Sequence, residues 1–110
     1  MKTIIIGRLE WQEEDNGILR SWEEAMEYAA SLGNRWRLPT IKELISIVDF
    51  NTCNPACKIK DCISSYYWSS SSDHNDLDDN AWFVHFNRGR VDISYKINLY
   101  YVRCVRDIEK

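Results

Sequence analysis

Glycine and proline are scarce in this chain, four and two residues among 110. That excludes collagen-like repeats and the flexible or stiff linkers that divide multidomain chains, so residues 1–110 read as a single domain. Long apolar runs are missing as well. The first, Ile4–Ile6, is stopped after three residues by Gly7 and Arg8. It is too short for a secretory signal, and no run nears the length of a membrane-spanning helix. The expectation from this start is a cytoplasmic protein. One-sided charge is also absent: 14 Lys and Arg stand against 17 Asp and Glu, a net charge of −3. Direct nucleic-acid binding is not expected without a basic stripe.

Bulk is abundant instead. Apolar residues make up 45% of the chain, with five Trp, six Tyr and three Phe, enough for one well-packed core. Thr3 to Gln12 reads as a strand broken at Gly7, and Asp15-Asn16-Gly17 as a turn. In "SWEEAMEYAASLG", Ser21 and Glu24 have capping-box spacing. Trp22, Ala25, Met26, Ala29 and Leu32 recur on one helical face, and Gly33 marks the stop. "PTIKELISIVDF" repeats that grammar with Thr40 and Glu43, turning Leu44, Ile47 and Val48 inward. Asn51 to Ser65 loses periodicity and reads as a long loop. "YYWSSSS" reads as a short strand running into a polar loop, and "DHNDLDDN" as loop throughout.

The last third reads as β. Trp82, Val84 and Phe86 alternate onto one face, "NRGR" turns the chain, and Val91 and Ile93 continue the pattern. "YYVRCVR" closes it, with Tyr100, Val102 and Cys104 on one face and Tyr101, Arg103 and Val105 on the other. Two helices flanked by strands at both chain ends give an α+β class with an antiparallel sheet.

Reactive chemistry is harder to find. His74 and His85 stand in no recognised nucleophile context, and "SSSS" is not a nucleophile elbow. Cys53, Cys57, Cys62 and Cys104 are expected as free thiols, with Cys104 in the core. The alternative groups Cys53, Cys57 and Cys62 around zinc. Calcium could use the oxygens of Asp73, Asn75, Asp76, Asp78, Asp79 and Asn80, against the reading of a solvated acidic loop. No cofactor is expected, with calcium or zinc as the alternatives. Rigid aromatics mixed with small polar groups suit a recognition surface. The candidate ligand-binding residues are Tyr66, Tyr67, Asp73, Asn75, Asp76, Asp78, Asn87, Arg88, Arg90, Tyr95 and Tyr101.

Several blocks then converge. "SWEEAMEYAASLG", "WRLPTIKEL", "YYWSSSS", "AWFVHFNRGRV" and "YVRCVR", in that order from about Leu9 to Arg106, resemble the Lcl C-terminal-like domains of the C-type-lectin-like fold. The resemblance implies two helices packed on a small twisted antiparallel sheet, the terminal strands paired, and a long irregular loop region. It also implies binding rather than catalysis, with glycan recognition known in the family. Relatives commonly carry a Cys in the first helix that the fold pairs with the Cys of the last strand; here Ala29 stands there, while Cys104 is kept. R-L-P-T-x-x-E and R-C-V-R also occur in domains of the formylglycine-generating-enzyme type, but those use a pair of late cysteines and this chain has one.

"NRWRLPT", Asn34 to Thr40, is read as a structural corner in which Trp36 buries against the sheet and Arg37 pairs with Glu43. The alternative is a guanidinium, Arg35 or Arg37, offered to an anionic ligand. The expectation is a non-enzymatic module that binds a protein partner through loops and strands. The alternatives are a glycan-binding adhesive domain and a stand-alone intracellular inhibitor, encoded by a mobile element, that blocks a host complex. Self-association is left open.

Overall fold

Gly7, with a φ of +63°, is the residue on which the amino-terminal segment reverses. The expected single broken strand is therefore a hairpin: β1 (Thr3–Ile6) and β2 (Leu9–Gln12) pair antiparallel with Ile6 opposite Leu9. These positions come from a computed structural model describing residues 1–14, 17–73 and 79–108. Near the other chain end, β6 (Val105–Asp107) pairs with β2, Trp11 opposite Val105, so the two ends share one three-stranded sheet, β1-β2-β6. The second sheet, β3-β4-β5, is also antiparallel and comprises Tyr66–Asp73, Asn80–His85 and Arg90–Tyr95.

Both helices start where the capping boxes place them. Helix α1 (Trp22–Ser31) has Ser21 Oγ accepting the Glu24 N–H at 3.3 Å, while Glu24 Oε1 accepts the Ser21 N–H at 2.9 Å. Helix α2 (Ile41–Ser46) repeats this with Thr40 and Glu43, at 3.2 and 2.8 Å. Leu44, Ile47 and Val48 are buried as expected. Met26 is not: it is exposed, and Tyr28 packs on the core in its place. The inward stripe runs Trp22, Ala25, Tyr28, Ala29 and Leu32, and Met26 lies just off its edge.

The central sheet divides the core in two. One cluster joins Trp11 and Val105 of the terminal sheet to Leu44 and Ile47 of α2 and to Tyr67, Val84 and Phe86. The other joins Ala25 and Ala29 of α1 to Trp36, Trp68, Ala81, Phe83, Val102 and Cys104. Strand β4 is thus buried on both faces, and the one-faced reading of Trp82, Val84 and Phe86 is corrected. Trp82 is only half-buried, opposite Ile93 of the edge strand.

The serines after Trp68 belong to β3 rather than to a loop. Their groups tie the strand to both helix starts. Ser69 is buried, and its hydroxyl donates to the Trp82 carbonyl at 2.7 Å. The Ser69 carbonyl accepts from the Trp22 indole at 2.9 Å, and Ser71 Oγ accepts the Ile41 N–H at 3.0 Å. Small hydroxyl side chains fit where two helix starts approach a strand this closely.

The "WRLPT" stretch is the expected corner. Trp36 is buried, and Arg37 exchanges backbone hydrogen bonds with Val105, both 2.9 Å. The Arg37 guanidinium grips Glu43 at 2.7 and 2.9 Å and Asp107 at 3.1 Å, joining α2 to the last strand. Its guanidinium is thus engaged by two carboxylates of the fold itself.

Candidate functional site

The segment Tyr95–Leu99, which leaves the edge strand β5, inverts the usual pattern of burial. Its polar residues are tied inward. Asn98 Nδ2 donates to Ser94 Oγ at 2.7 Å, and the Lys96 carbonyl accepts the Trp22 N–H at 2.9 Å. The Lys96 ammonium sits 4.2 Å above the Trp22 ring. The apolar residues point out: Tyr95, Ile97 and Leu99 are 64%, 82% and 54% exposed. Ile18 and Leu19, also exposed, lead into Arg20, whose backbone bridges Tyr100 next to Leu99. These five exposed apolar side chains lie on two segments whose backbones meet at the Arg20–Tyr100 bridge.

A recess of about 650 Å³ opens beside the turn. Trp22 and Glu23 come from the start of α1, Ser72 from β3, Asp79 from the segment before β4, and Tyr95, Lys96 and Ile97 from the turn. The Lys96 N–H donates to the Asp79 carbonyl at 2.9 Å, fixing that wall. Its lining mixes the apolar groups of Trp22, Tyr95 and Ile97 with the charged groups of Glu23, Asp79 and Lys96.

Of the residues singled out from sequence, Tyr95 and the calcium candidate Asp79 line this site. Tyr66 and Arg90 meet elsewhere, in a smaller cleft of about 110 Å³ with Phe83, His85 and Asp92. There Tyr66 stacks on Phe83 with ring centroids 4.9 Å apart and lies 4.1 Å from the His85 ring. Partial burial and the Arg90 charge lower the His85 pKa against a backbone hydrogen bond at Ser65 that raises it. The His85 Nδ1 accepts the Asn87 N–H at 3.4 Å.

Tyr67 leaves the candidate surface: it is fully buried, and its hydroxyl accepts the Ile63 N–H at 2.9 Å. Tyr101 is half-buried against the same cluster, its ring 5.8 Å from that of Tyr67. Asn87 and Arg88 form the β4–β5 turn, with Asn87 Oδ1 accepting the Arg88 N–H at 2.7 Å. Asp73 ends β3 opposite Asn80. Asn75, Asp76 and Asp78, with His74, lie outside the described residues.

The cysteines sort by environment. Cys53 is exposed, Cys57 half-buried, Cys62 and Cys104 buried. Among the described residues, no three potential metal ligands come together, so Cys53, Cys57 and Cys62 do not form the cluster that zinc needs. Burial pushes the Cys104 thiol up to about 12, which makes it a packing group rather than a nucleophile.

Sequence reading missed Trp22, Glu23, Ile97, Leu99, Ile18 and Leu19. Trp22 reads as core because it lies on the apolar stripe of α1, and it does pack on the second core cluster while also lining the recess. The alternation Tyr95, Ile97, Leu99 was visible, but nothing in sequence says which face of such a segment is covered.

Comparison with known proteins agrees with this architecture. No curated protein matches the chain. Among solved structures, EMS16, an antagonist of the collagen receptor integrin α2β1 (GPIa/IIa), superposes with a TM-score of 0.68 at 10% identity. The match covers 96% of this chain and 97% of that one. EMS16 has the C-type-lectin-like fold, and at this identity the likeness is one of fold. Residues 6–106 match the Lcl C-terminal domain, and the chain belongs to that family.

Proposed function

We propose that this domain is a non-enzymatic recognition module, and that the Tyr95–Leu99 turn with its neighbouring recess is the surface that grips a protein partner. One observation carries this reading: an ordered, hydrogen-bonded turn holds its polar side chains in and its apolar ones out. Leaving such side chains in water forgoes the burial that elsewhere stabilises the fold. A partner that covers Tyr95, Ile97 and Leu99 recovers it, with Tyr95 as a rigid anchor. Glu23 and Asp79 in the lining of the recess favour a partner whose apolar patch is bordered by basic residues. Protein antagonism by EMS16, a protein of the same fold, is consistent with this use of the scaffold.

The test places a photo-crosslinking amino acid at Ile97 and, as control, at Glu27 on the exposed side of α1. In lysate of the organism of origin, the expected result is one discrete adduct from position 97, none from 27, and loss of the adduct on Tyr95→Ala. Equal labelling from both positions would refute the proposed face. Binding to a glycan array that Tyr95→Ala abolishes, without a protein adduct, would transfer the site to the lectin reading.

A further inference from the structure

Building on the reading of this face as a partner surface, we propose that the recess takes an arginine side chain of the partner, its guanidinium lying on the Trp22 indole in place of the Lys96 ammonium. The fold already places one cation there: the Lys96 ammonium sits 4.2 Å above the Trp22 ring. Trp22 and Lys96 both line the recess, so this contact lies in its wall. An indole face attracts a cation through the negative side of its quadrupole.

The wall is set before a ligand arrives. The Trp22 indole N–H donates to the Ser69 carbonyl at 2.9 Å, which fixes the ring. The Trp22 backbone N–H donates to the Lys96 carbonyl, and the Lys96 N–H donates to the Asp79 carbonyl, both at 2.9 Å. Such preorganisation lowers the ordering cost of binding. The Lys96 ammonium, on its flexible aliphatic stem, is the part that can leave the ring while the backbone stays in place.

Charge and shape select the ligand. The lining carries the carboxylates of Glu23 and Asp79 against one ammonium, so an anion entering the recess meets like charge. A lysine exchanges one ammonium for another and gains little. An arginine gains more, because its planar guanidinium stacks flat on the indole and is more weakly hydrated than an ammonium. Its N–H donors then point outward in the ring plane, where carboxylates bind them best. Glu23 and Asp79 are exposed side chains beside the ring, and Ser72 adds a hydroxyl acceptor. A volume of about 650 Å³ lies within the range of small-ligand pockets, with room for such a side chain and the backbone that carries it.

The probe is N-acetyl-arginine amide, titrated into the full chain at low salt, with the citrulline amide as neutral isostere and the lysine amide as second control. The readout is the Trp22 indole N–H resonance, assigned from its loss in Trp22→Phe. The expected result is a saturable shift with arginine, a weaker response to lysine and none to citrulline. Lys96→Ala uncovers the indole and should tighten arginine binding about threefold. The double variant Glu23→Gln, Asp79→Asn should weaken it about threefold. Dispersed amide resonances show that each variant is folded. Absence of a saturable shift in Lys96→Ala overturns the proposal, as does weaker arginine binding in that variant or an equal response to lysine or citrulline. The crosslink from position 97 reads the face separately. An adduct with a silent Trp22 indole overturns the arginine site and leaves the protein face standing. An arginine response without an adduct supports the cation site and removes the protein-partner reading.

Discussion

The side chains spent most heavily on holding the molecule together are arginines, and each serves several elements. Arg103 is almost fully buried and donates to the carbonyls of Gln12, at 2.5 Å, Glu13, at 2.9 Å, and Asp61, at 2.9 Å, tying the end of β2 to the long loop. Arg106 reaches Glu10 at 2.9 Å and the Asn34 carbonyl at 3.2 Å, with its guanidinium 4.6 Å from the Trp36 ring centre. The closing R-C-V-R therefore works as a pair of braces. Arg37 and Glu43 allow a quantitative test. The Arg37 hydrogen bonds, helped by the Thr40 N–H, hold the Glu43 carboxyl below its ordinary value of 4.5. A lowered carboxyl pKa stabilises the fold above the unfolded value, and that stability is lost as the pH falls through the lowered folded value. Glu43→Gln keeps an oxygen for the cap but removes the charge. With about a third of Arg37 exposed, the expected loss at pH 7 is about 1 kcal/mol. Urea unfolding from pH 7 downward should show the gap between wild type and variant closing once Glu43 is protonated.

At the scale of elements, the sequence announced its starts more clearly than its surroundings. Both helix starts were legible because a capping box is a local device, complete within four residues. The corner pair Arg37–Glu43 was legible for the same reason. Strand β4 was misread because period two reveals alternation but not how many layers flank the sheet. The serines of β3 read as loop because their partners, Trp22, Ile41 and Trp82, are far away in sequence. Ile97 and Leu99 escaped because an inverted turn is recognised only when the covered side is known. Gly89 in the β4–β5 turn shows how tightly elements that are distant in sequence meet. Its φ is +82°, and a Cβ there would lie 2.5 Å from Val48 Cγ1 and 3.1 Å from Phe50 Cε1. Gly33 has a similar φ of +64° but open space around it. Gly33→Ala is expected to cost about 1 kcal/mol for the left-handed backbone alone. Gly89→Ala adds overpacking against Val48, for a total of about 3 kcal/mol. Thermal melts of the two variants should rank in that order; equal melting points would mean that the turn moves away from Val48 at no cost.

For the whole molecule, what matters is how two small sheets act as one body. The strip from Tyr100 to Val105 joins them. Tyr101 donates to the Tyr66 carbonyl at 2.9 Å and accepts from Trp68 at 3.1 Å, and four residues later Val105 pairs with β2. Val102 and Cys104 point from this strip into the cluster that receives Ala25 and Ala29 of α1. The helix packs on the strip at the place where relatives are expected to carry a disulfide, and Gln12 bridges the two, donating to the Tyr28 hydroxyl at 3.1 Å and accepting the Cys104 N–H at 2.8 Å. Restoring that bridge tests whether the scaffold needs it. Ala29→Cys should form a disulfide with Cys104 under mild oxidation, seen as the loss of two titratable thiols relative to the reduced variant. Closing so long a loop should raise stability by about 2–4 kcal/mol over the reduced form. If the family's cross-link were essential to the fold, the parent would melt far below the bridged variant and bind dyes that detect exposed apolar surface. The buried side chains of this cluster argue for the other outcome: a parent already fully folded, with the bridge adding stability to an intact core and leaving the Tyr95–Leu99 face unchanged.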